Sequence, residues 1–187
     1  MLLKALGLQK DHGKAAASSH DVERSPHWSS VVKKFLITHG HCAACDSSTV
    51  WHGIFAHQVH HIHAFHYCVL LGRPDLELDE RNLISMCQVP GTHHHLLLGH
   101  YGSFLSYAPE VEELVRRYKG WSRSDIEADP YYRRAAANRP KVWNDMTQTE
   151  RLDMRAALDR KLPPDPKMVA LAARQAKVTL PAIPTTR

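Results

Sequence analysis

The sequence predicts an α+β protein in which a small strand–strand–helix unit carries clustered cysteines and histidines, with one helix before it and a helical extension after it. Three observations lead there. Trp28, Val31, Val32 and Phe35 form an apolar stripe at helical spacing. Two extended stretches, 50–62 and 82–87, carry a histidine pair and a cysteine. Beyond residue 109, caps and breakers recur at helical distances.

Taken in order, residues 1–24 lack periodicity and read as a loose lead-in with a short helix at its start. Ser25 can cap the first ordered helix, Pro26 suits its first position, and Gly40 ends it. Cys42-Ala-Ala-Cys45 follows as a tight knuckle. Val50 to Ile62 is extended, residues 63–81 are a long loop, and Asn82 to Cys87 is a short strand. Pro90-Gly91 turns the chain into a helix within His93 to Leu105, weakened by Gly99. A helix starting at Pro109 runs to Lys119 and stops at Gly120. Thr147 and Glu150 have capping-box spacing, Pro163-Pro164 breaks the helix they start, and Asp165-Pro166 opens a last one to Lys177. The final ten residues carry no pattern. The domains expected are a lead-in at 1–24, a site-bearing domain at 25–119 and a basic extension at 120–187.

Composition bounds the function. A chain of 187 residues, 43% hydrophobic, can bury one modest core and is not disordered. No apolar run is long enough to span a bilayer, and the opening MLLKALGLQK is too short and too soon charged for a secretion signal. A cytoplasmic protein follows, in which four cysteines are free or metal-bound. Residues 1–119 hold 11 Lys+Arg against 11 Asp+Glu, so the whole surplus of +5 lies in 120–187, with 13 against 8. Such a segment suits a polyanion partner, although a solvated helical face has the same composition. Histidine is the anomaly: there are 15, most of them between His39 and His100.

The chemistry starts from sulfur. Cys42 and Cys45 have the two-residue gap that lets two thiolates face one ion, and Cys87 follows the second strand. A fourth ligand comes from the His93-His94-His95 run, giving Cys42, Cys45, Cys87 and His94, with His93 as competitor. Cys68, in an apolar run, is a buried or spare thiol. His60 and His61 end a strand where successive side chains point to opposite faces, so one can hold a metal while its neighbour stays free as a base.

These motifs carry a resemblance. Cys-x-x-Cys, then Val59-His-His-Ile-His-Ala-Phe-His66, then Leu76-Glu-Leu-Asp-Glu-Arg-Asn-Leu-Ile84, then His95-Leu-Leu-Leu-Gly-His100 together resemble the HNH endonucleases, especially the compact bacteriophage form, over residues 25–111. The resemblance implies a ββα-metal (HNH, His-Me finger) core with a structural Zn2+ and one catalytic divalent ion: Mg2+, Mn2+, Ni2+ or Zn2+. It puts His60 and His95 on metal-ligand positions, His61 on the general base, and Asn82 on the residue that holds the loop so the base is oriented. His100 is a further ligand or a phosphate contact, although five residues set it well off the His95 face of an ideal helix. The family usually has a cysteine where His94 stands. The reaction implied is hydrolysis of double-stranded DNA, with Arg133, Arg134 and Arg139 touching the backbone. Packaging proteins such as a phage terminase are the protein partners expected, in a host cytoplasm. The alternative is a zinc-stabilised DNA-binding or packaging-adaptor module that does not cut.

Overall fold

A computed structural model describes residues 24–47, 50–51, 54–55, 57–89, 91–141 and 143–173. The expected lead-in, apart from Arg24, and the last ten residues lie outside them. The elements are α1 (Trp28–Thr38), β1 (Val50–Trp51), β2 (Ile54–Phe55), β3 (His57–His61), α2 (Phe65–Leu70), β4 (Leu83–Cys87), α3 (His94–His100), α4 (Val111–Arg117), α5 (Arg123–Ala128), α6 (Pro130–Ala137), α7 (Gln148–Lys161) and α8 (Pro166–Ala173). Short 3-10 turns lie at Pro74–Glu77, Glu80–Asn82 and Trp143–Asp145. The chain is therefore α+β, with two separate two-stranded antiparallel sheets, β1–β2 and β3–β4.

The β3–β4 hairpin positions everything that follows. Its register pairs His57 with Cys87, Val59 with Ser85 and His61 with Leu83. A half-exposed hairpin would alternate buried and exposed residues, yet His57, Val59, His60 and His61 are all buried because helices cover both faces. On one face, Val59 and Leu83 pack with Phe35 and Leu36 of α1. On the other, Met86 and Ile84 meet Leu97 and Leu98 of α3. Adjacent residues on β3 thus face different helices, which is how His60 and His61 part company.

Several boundaries differ from the sequence reading, each for a local reason. Helix α1 begins at Trp28 with His27 at its cap; the Ser25 hydroxyl instead accepts from His27 N at 3.1 Å in the preceding turn. The stretch 63–81 is not one loop. Phe65, Tyr67, Cys68 and Val69 are buried in α2, a helix with no side-chain cap to announce it. Its acidic residues fold into 3-10 turns that bury Asp75, Glu77 and Asp79 against partners. Helix α3 stops at His100 because Tyr101 and Gly102 both adopt left-handed backbone.

Beyond residue 109 the capping box of Thr147 and Glu150 is present, with Thr147 Oγ1 accepting from Glu150 N at 3.2 Å. The compositional division at residue 120 does not coincide with a gap in the packing. Ile126 and Tyr132 share one core with Cys42, Cys87, Leu97 and Tyr118. Leu158 and Leu162 of the α7 end pack on Cys68, Leu71 and Leu76. Among the described residues no helix is long and apolar enough to cross a membrane.

Candidate metal centres and a buried imidazole

The first cluster is the cysteine knuckle. The backbone holds it against β4, with Ala43 N donating to Ser85 O at 3.0 Å, and against the α4 end, with Gly120 N donating to Ala44 O at 2.8 Å. Cys42, Cys87 and His94 are fully buried, and all four cysteines of the chain are free. The ligand atoms of Cys42, Cys45, Cys87 and His94 lie within 4.8 Å of one another. Cys45 Sγ is 3.9 Å from Cys87 Sγ, and His94 Nδ1 is 3.6 Å from Cys42 Sγ and 3.3 Å from Cys87 Sγ. A tetrahedral zinc with ordinary bond lengths gives edges of ~3.8 Å between sulfurs and ~3.5 Å between sulfur and nitrogen, so the set fits.

Two hydroxyls lie against its sulfurs. The Ser47 hydroxyl lies 3.1 Å from Cys45 Sγ and 3.2 Å from His57 Nε2, and the Thr92 hydroxyl lies 3.3 Å from Cys87 Sγ. A hydrogen bond between Cys42 and Cys87 holds the Cys87 thiol far below its ordinary range and pushes that of Cys42 up, as expected of packed sulfurs sharing too few protons. Between the two candidates for fourth ligand, the geometry selects His94: its ring points at the sulfurs, while His93 sits outside the cluster at positive φ with its ring 6.5 Å from that of Phe104.

The second cluster is His60, His95 and His100, again with ligand atoms within 4.8 Å of one another. His95 and His100 approach to 3.3 Å between their Nε2 atoms, despite the unfavourable five-residue spacing. The spacing argument fails because α3 ends at His100, whose Nδ1–H donates to Ser106 O at 2.6 Å, and this turns Nε2 toward His95. Gln88 fixes the other ring, its amide nitrogen standing 2.9 Å from His95 Nδ1. In that orientation Gln88 Nε2–H donates to His95 Nδ1, which leaves His95 Nε2–H to donate to His100 Nε2. A cation bound there would displace that hydrogen, with the Gln88 amide turned so that its oxygen accepts from His95 Nδ1–H. The nitrogen separation is close to the edge of a tetrahedral or octahedral ion with ~2.1 Å bonds. Burial, and then the neighbouring imidazoles, hold His60 well below the ordinary imidazole range, and burial lowers His100. Lowered in this way, His60 and His100 are neutral at physiological pH, the state in which an imidazole can hold a metal.

Gly99 makes this packing feasible. A Cβ there would stand 3.0 Å from His60 Cε1, 3.1 Å from His60 Nδ1 and 3.1 Å from Met86 Cε. The glycine that weakens α3 by propensity is the gap into which His60 fits.

His61 lies on the opposite face, its ring stacked on Trp28 with centroids 4.6 Å apart. His61 Nε2–H donates to Glu77 O at 3.0 Å, which leaves Nδ1 as the lone-pair nitrogen. Burial, then the nearby Arg24 charge, pushes His61 down to about 3, so the ring is neutral throughout the physiological range.

Asn82 is fully buried and clamps the loop after β3. Its Oδ1 accepts from His63 N at 2.8 Å, while its amide donates to His63 O at 3.1 Å and Leu76 O at 3.0 Å. It thereby fixes the backbone one residue before Glu77, whose carbonyl orients His61. Nearby, His63 is pushed down to about 4, chiefly by burial. The sulfur of Cys68 is buried and donates to His63 O at 3.4 Å, and its thiol is raised to about 12, an inert spare thiol rather than a ligand.

The three arginines expected at a nucleic acid are exposed. Arg133 Nε donates to Glu127 O at 2.9 Å, and Arg139 Nη2 donates to Tyr101 O at 3.0 Å, beside the end of α3. Two functional neighbours escaped the sequence reading. Glu77 places a carbonyl on His61, and its carboxylate accepts from Ser25 N at 3.1 Å. Arg24 stands 3.7 Å from that carboxylate and 4.7 Å and 4.5 Å over the rings of Trp28 and Phe65. Glu77 lies within the Leu76–Ile84 motif, but nothing in the spacing singles out its carbonyl, and no short-range pattern marks Arg24. No family model, curated protein or solved structure matches the chain.

Proposed function

We propose that the chain is a metal-dependent endonuclease of the HNH type, hydrolysing phosphodiester bonds in double-stranded DNA. In this reading β3, β4 and α3 are a ββα-metal core, His60, His95 and His100 hold one divalent ion, and His61 is the general base. The observation that carries it is the pairing of His60 and His61: one ring in a three-imidazole cluster, the next committed through Nε2 to Glu77 O with Nδ1 left as the lone-pair nitrogen. A binding module has no use for a neutral, oriented imidazole on the residue next to a member of a three-histidine cluster.

Hydrolysis needs a water deprotonated in line with the leaving 3′ oxygen. His61 Nδ1 takes that proton; Glu77 O and the Trp28 ring keep the nitrogen aimed and the other tautomer suppressed. Asn82 holds the Leu76–Glu77 backbone so that the acceptor does not drift. When bound, the ion supplies Lewis-acid stabilisation of charge on the phosphate and the leaving oxygen. The Cys42, Cys45, Cys87 and His94 cluster, with all but Cys45 buried, has the character of a structural zinc site.

The three-imidazole set holds no carboxylate, and imidazole favours borderline ions over Mg2+. The test is cleavage of supercoiled plasmid by metal-stripped protein with Mg2+, Mn2+, Ni2+ or Zn2+ restored singly. Cutting restored more strongly by Ni2+ or Zn2+ than by Mg2+ supports the reading. Protein that binds DNA and never cuts under any of these ions overturns it in favour of a zinc-stabilised binding or adaptor module.

A further inference from the structure

An arginine with 2% of its side chain exposed must have its guanidinium hydrogen-bonded, because an unpaired buried cation is strongly disfavoured. Arg73 meets that demand with partners from two distant parts of the chain. Nε and Nη2 grip the Asp75 carboxylate at 2.9 and 2.7 Å. Nη1 donates to Asp159 Oδ1 at 2.6 Å and to Leu162 O at 2.9 Å, both at the C-terminal end of α7. Arg155 reinforces the same joint, pairing with Asp159 Oδ2 at 2.6 Å and donating to Leu71 O. Asp75 lies in the turn Pro74–Glu77, whose next carbonyls hold Asn82 and His61.

We propose that the Arg73–Asp159 clasp makes the α7 end a positioning element for His61, transmitted through the Pro74–Glu77 turn. This deepens the nuclease reading and rests on it for the role of His61. Arg73 and Asp159 are positioning residues: neither touches the imidazole, and both fix the carbonyl to which it donates. The chain Asp159–Arg73–Asp75–turn–Glu77 O–His61 has charge-assisted bonds at its first two joints and a neutral hydrogen bond at its last, and Leu158 and Leu162 pack against Leu76 beneath it. On this account the C-terminal helices are part of the active site rather than a separable basic tail.

The test uses the full chain with its zinc site loaded. Asp159→Ala removes the contact from a partly exposed position, Asp159→Glu restores the carboxylate, and Asp153→Ala is the control for charge loss on an exposed face of α7. The first readout is the tautomer of His61 by nitrogen-15 NMR of histidine-labelled protein. The native ring and the control are held as Nε2–H, Asp159→Ala shows a tautomer mixture, and Asp159→Glu returns toward native. The second is plasmid cleavage, where Asp159→Ala lowers kcat by about tenfold or more with KM within twofold, since small misplacements of a catalytic group are costly. A His61 tautomer and a kcat identical in Asp159→Ala and Asp153→Ala overturn the proposal. If native protein never cuts, the nuclease reading fails and NMR alone decides the coupling: a changed His61 signal supports it and an unchanged one overturns it.

Discussion

Replacing Gly99 with alanine sets two calculable effects against each other. In an exposed helix the change would stabilise by about 1 kcal/mol, because glycine is the poorer helix former. Here the new Cβ meets His60 Cε1 at 3.0 Å and Nδ1 at 3.1 Å, and Met86 Cε at 3.1 Å. Met86 Cε, the end of a flexible side chain, can give way, whereas the His60 ring is bounded by His95 and His100 with centroids 5.2 and 4.9 Å away. Overpacking costs about 1–3 kcal/mol. After the propensity gain, the folded state loses between ~0 and ~2 kcal/mol. The larger effect falls on the metal. Moving one of three ligands by a few tenths of an ångström disturbs the site at least as much as losing an outer-shell partner, which costs about 10–100-fold in affinity. The assay is Co2+ titration of zinc-loaded protein followed by its visible absorption, with a thermal melt alongside. Gly99→Ala should fold, melt within a few degrees of native and bind Co2+ at the histidine cluster at least tenfold more weakly. Unchanged Co2+ affinity in a folded variant would refute the argument that Gly99 exists to seat His60 as a ligand.

The remaining predictions concern the other parts of the site. Cys87→Ser, or stripping metal with a strong chelator, should lower the melting temperature by about 10 °C, the equivalent of roughly 3 kcal/mol for a chain of this size, as differential scanning calorimetry would read. A native melt indifferent to chelation rules out a structural metal. Asn82→Ala deletes three buried hydrogen bonds worth on the order of 1 kcal/mol each and frees the Leu76–Glu77 backbone. Cleavage should fall by about a hundredfold while DNA affinity, measured by fluorescence anisotropy, holds. Stability should also depend on pH in a defined window. His61 and His63 have folded values of about 3 and about 4, below the ordinary 6.5, so the unfolded chain takes up protons first as pH falls. Their contribution is complete above pH 6.5 and is lost on going down toward pH 4 and then 3, each at on the order of 1 kcal/mol per pH unit. Urea midpoints that stay flat from pH 7 to pH 5 would contradict this.

What was legible in the sequence was legible over short distances. Cys42 and Cys45, and the box of Thr147 and Glu150, are patterns whose partners lie within three residues, so spacing alone implies contact. The opposed faces of His60 and His61 follow from strand alternation. Their burial on both sides does not, because it depends on α1 and α3 arriving from elsewhere. An ideal helix describes where Cα atoms go, whereas a hydrogen bond to Ser106 O decides where the His100 imidazole goes. Gly99 reads as a defect until His60 is placed beside it. Arg73 reads as a loop cation, and its partner Asp159 is 86 residues away. The helix α2 is not marked in the sequence because it has no side-chain cap and its six residues are too few to show helical periodicity.

The central claim is that an oriented His61 beside a metal held by His60, His95 and His100 cuts DNA. Its most direct test is single-turnover cleavage of a plasmid by His61→Ala and native protein, each metal-stripped and reloaded with the same ion. Metal content and DNA affinity should be measured on the same samples. The account predicts that His61→Ala keeps its metal and binds DNA as native protein does, yet cleaves at least a hundredfold more slowly, the loss expected of a general base. Cleavage at the native rate by a metal-loaded His61→Ala protein would contradict it and remove His61 from the mechanism.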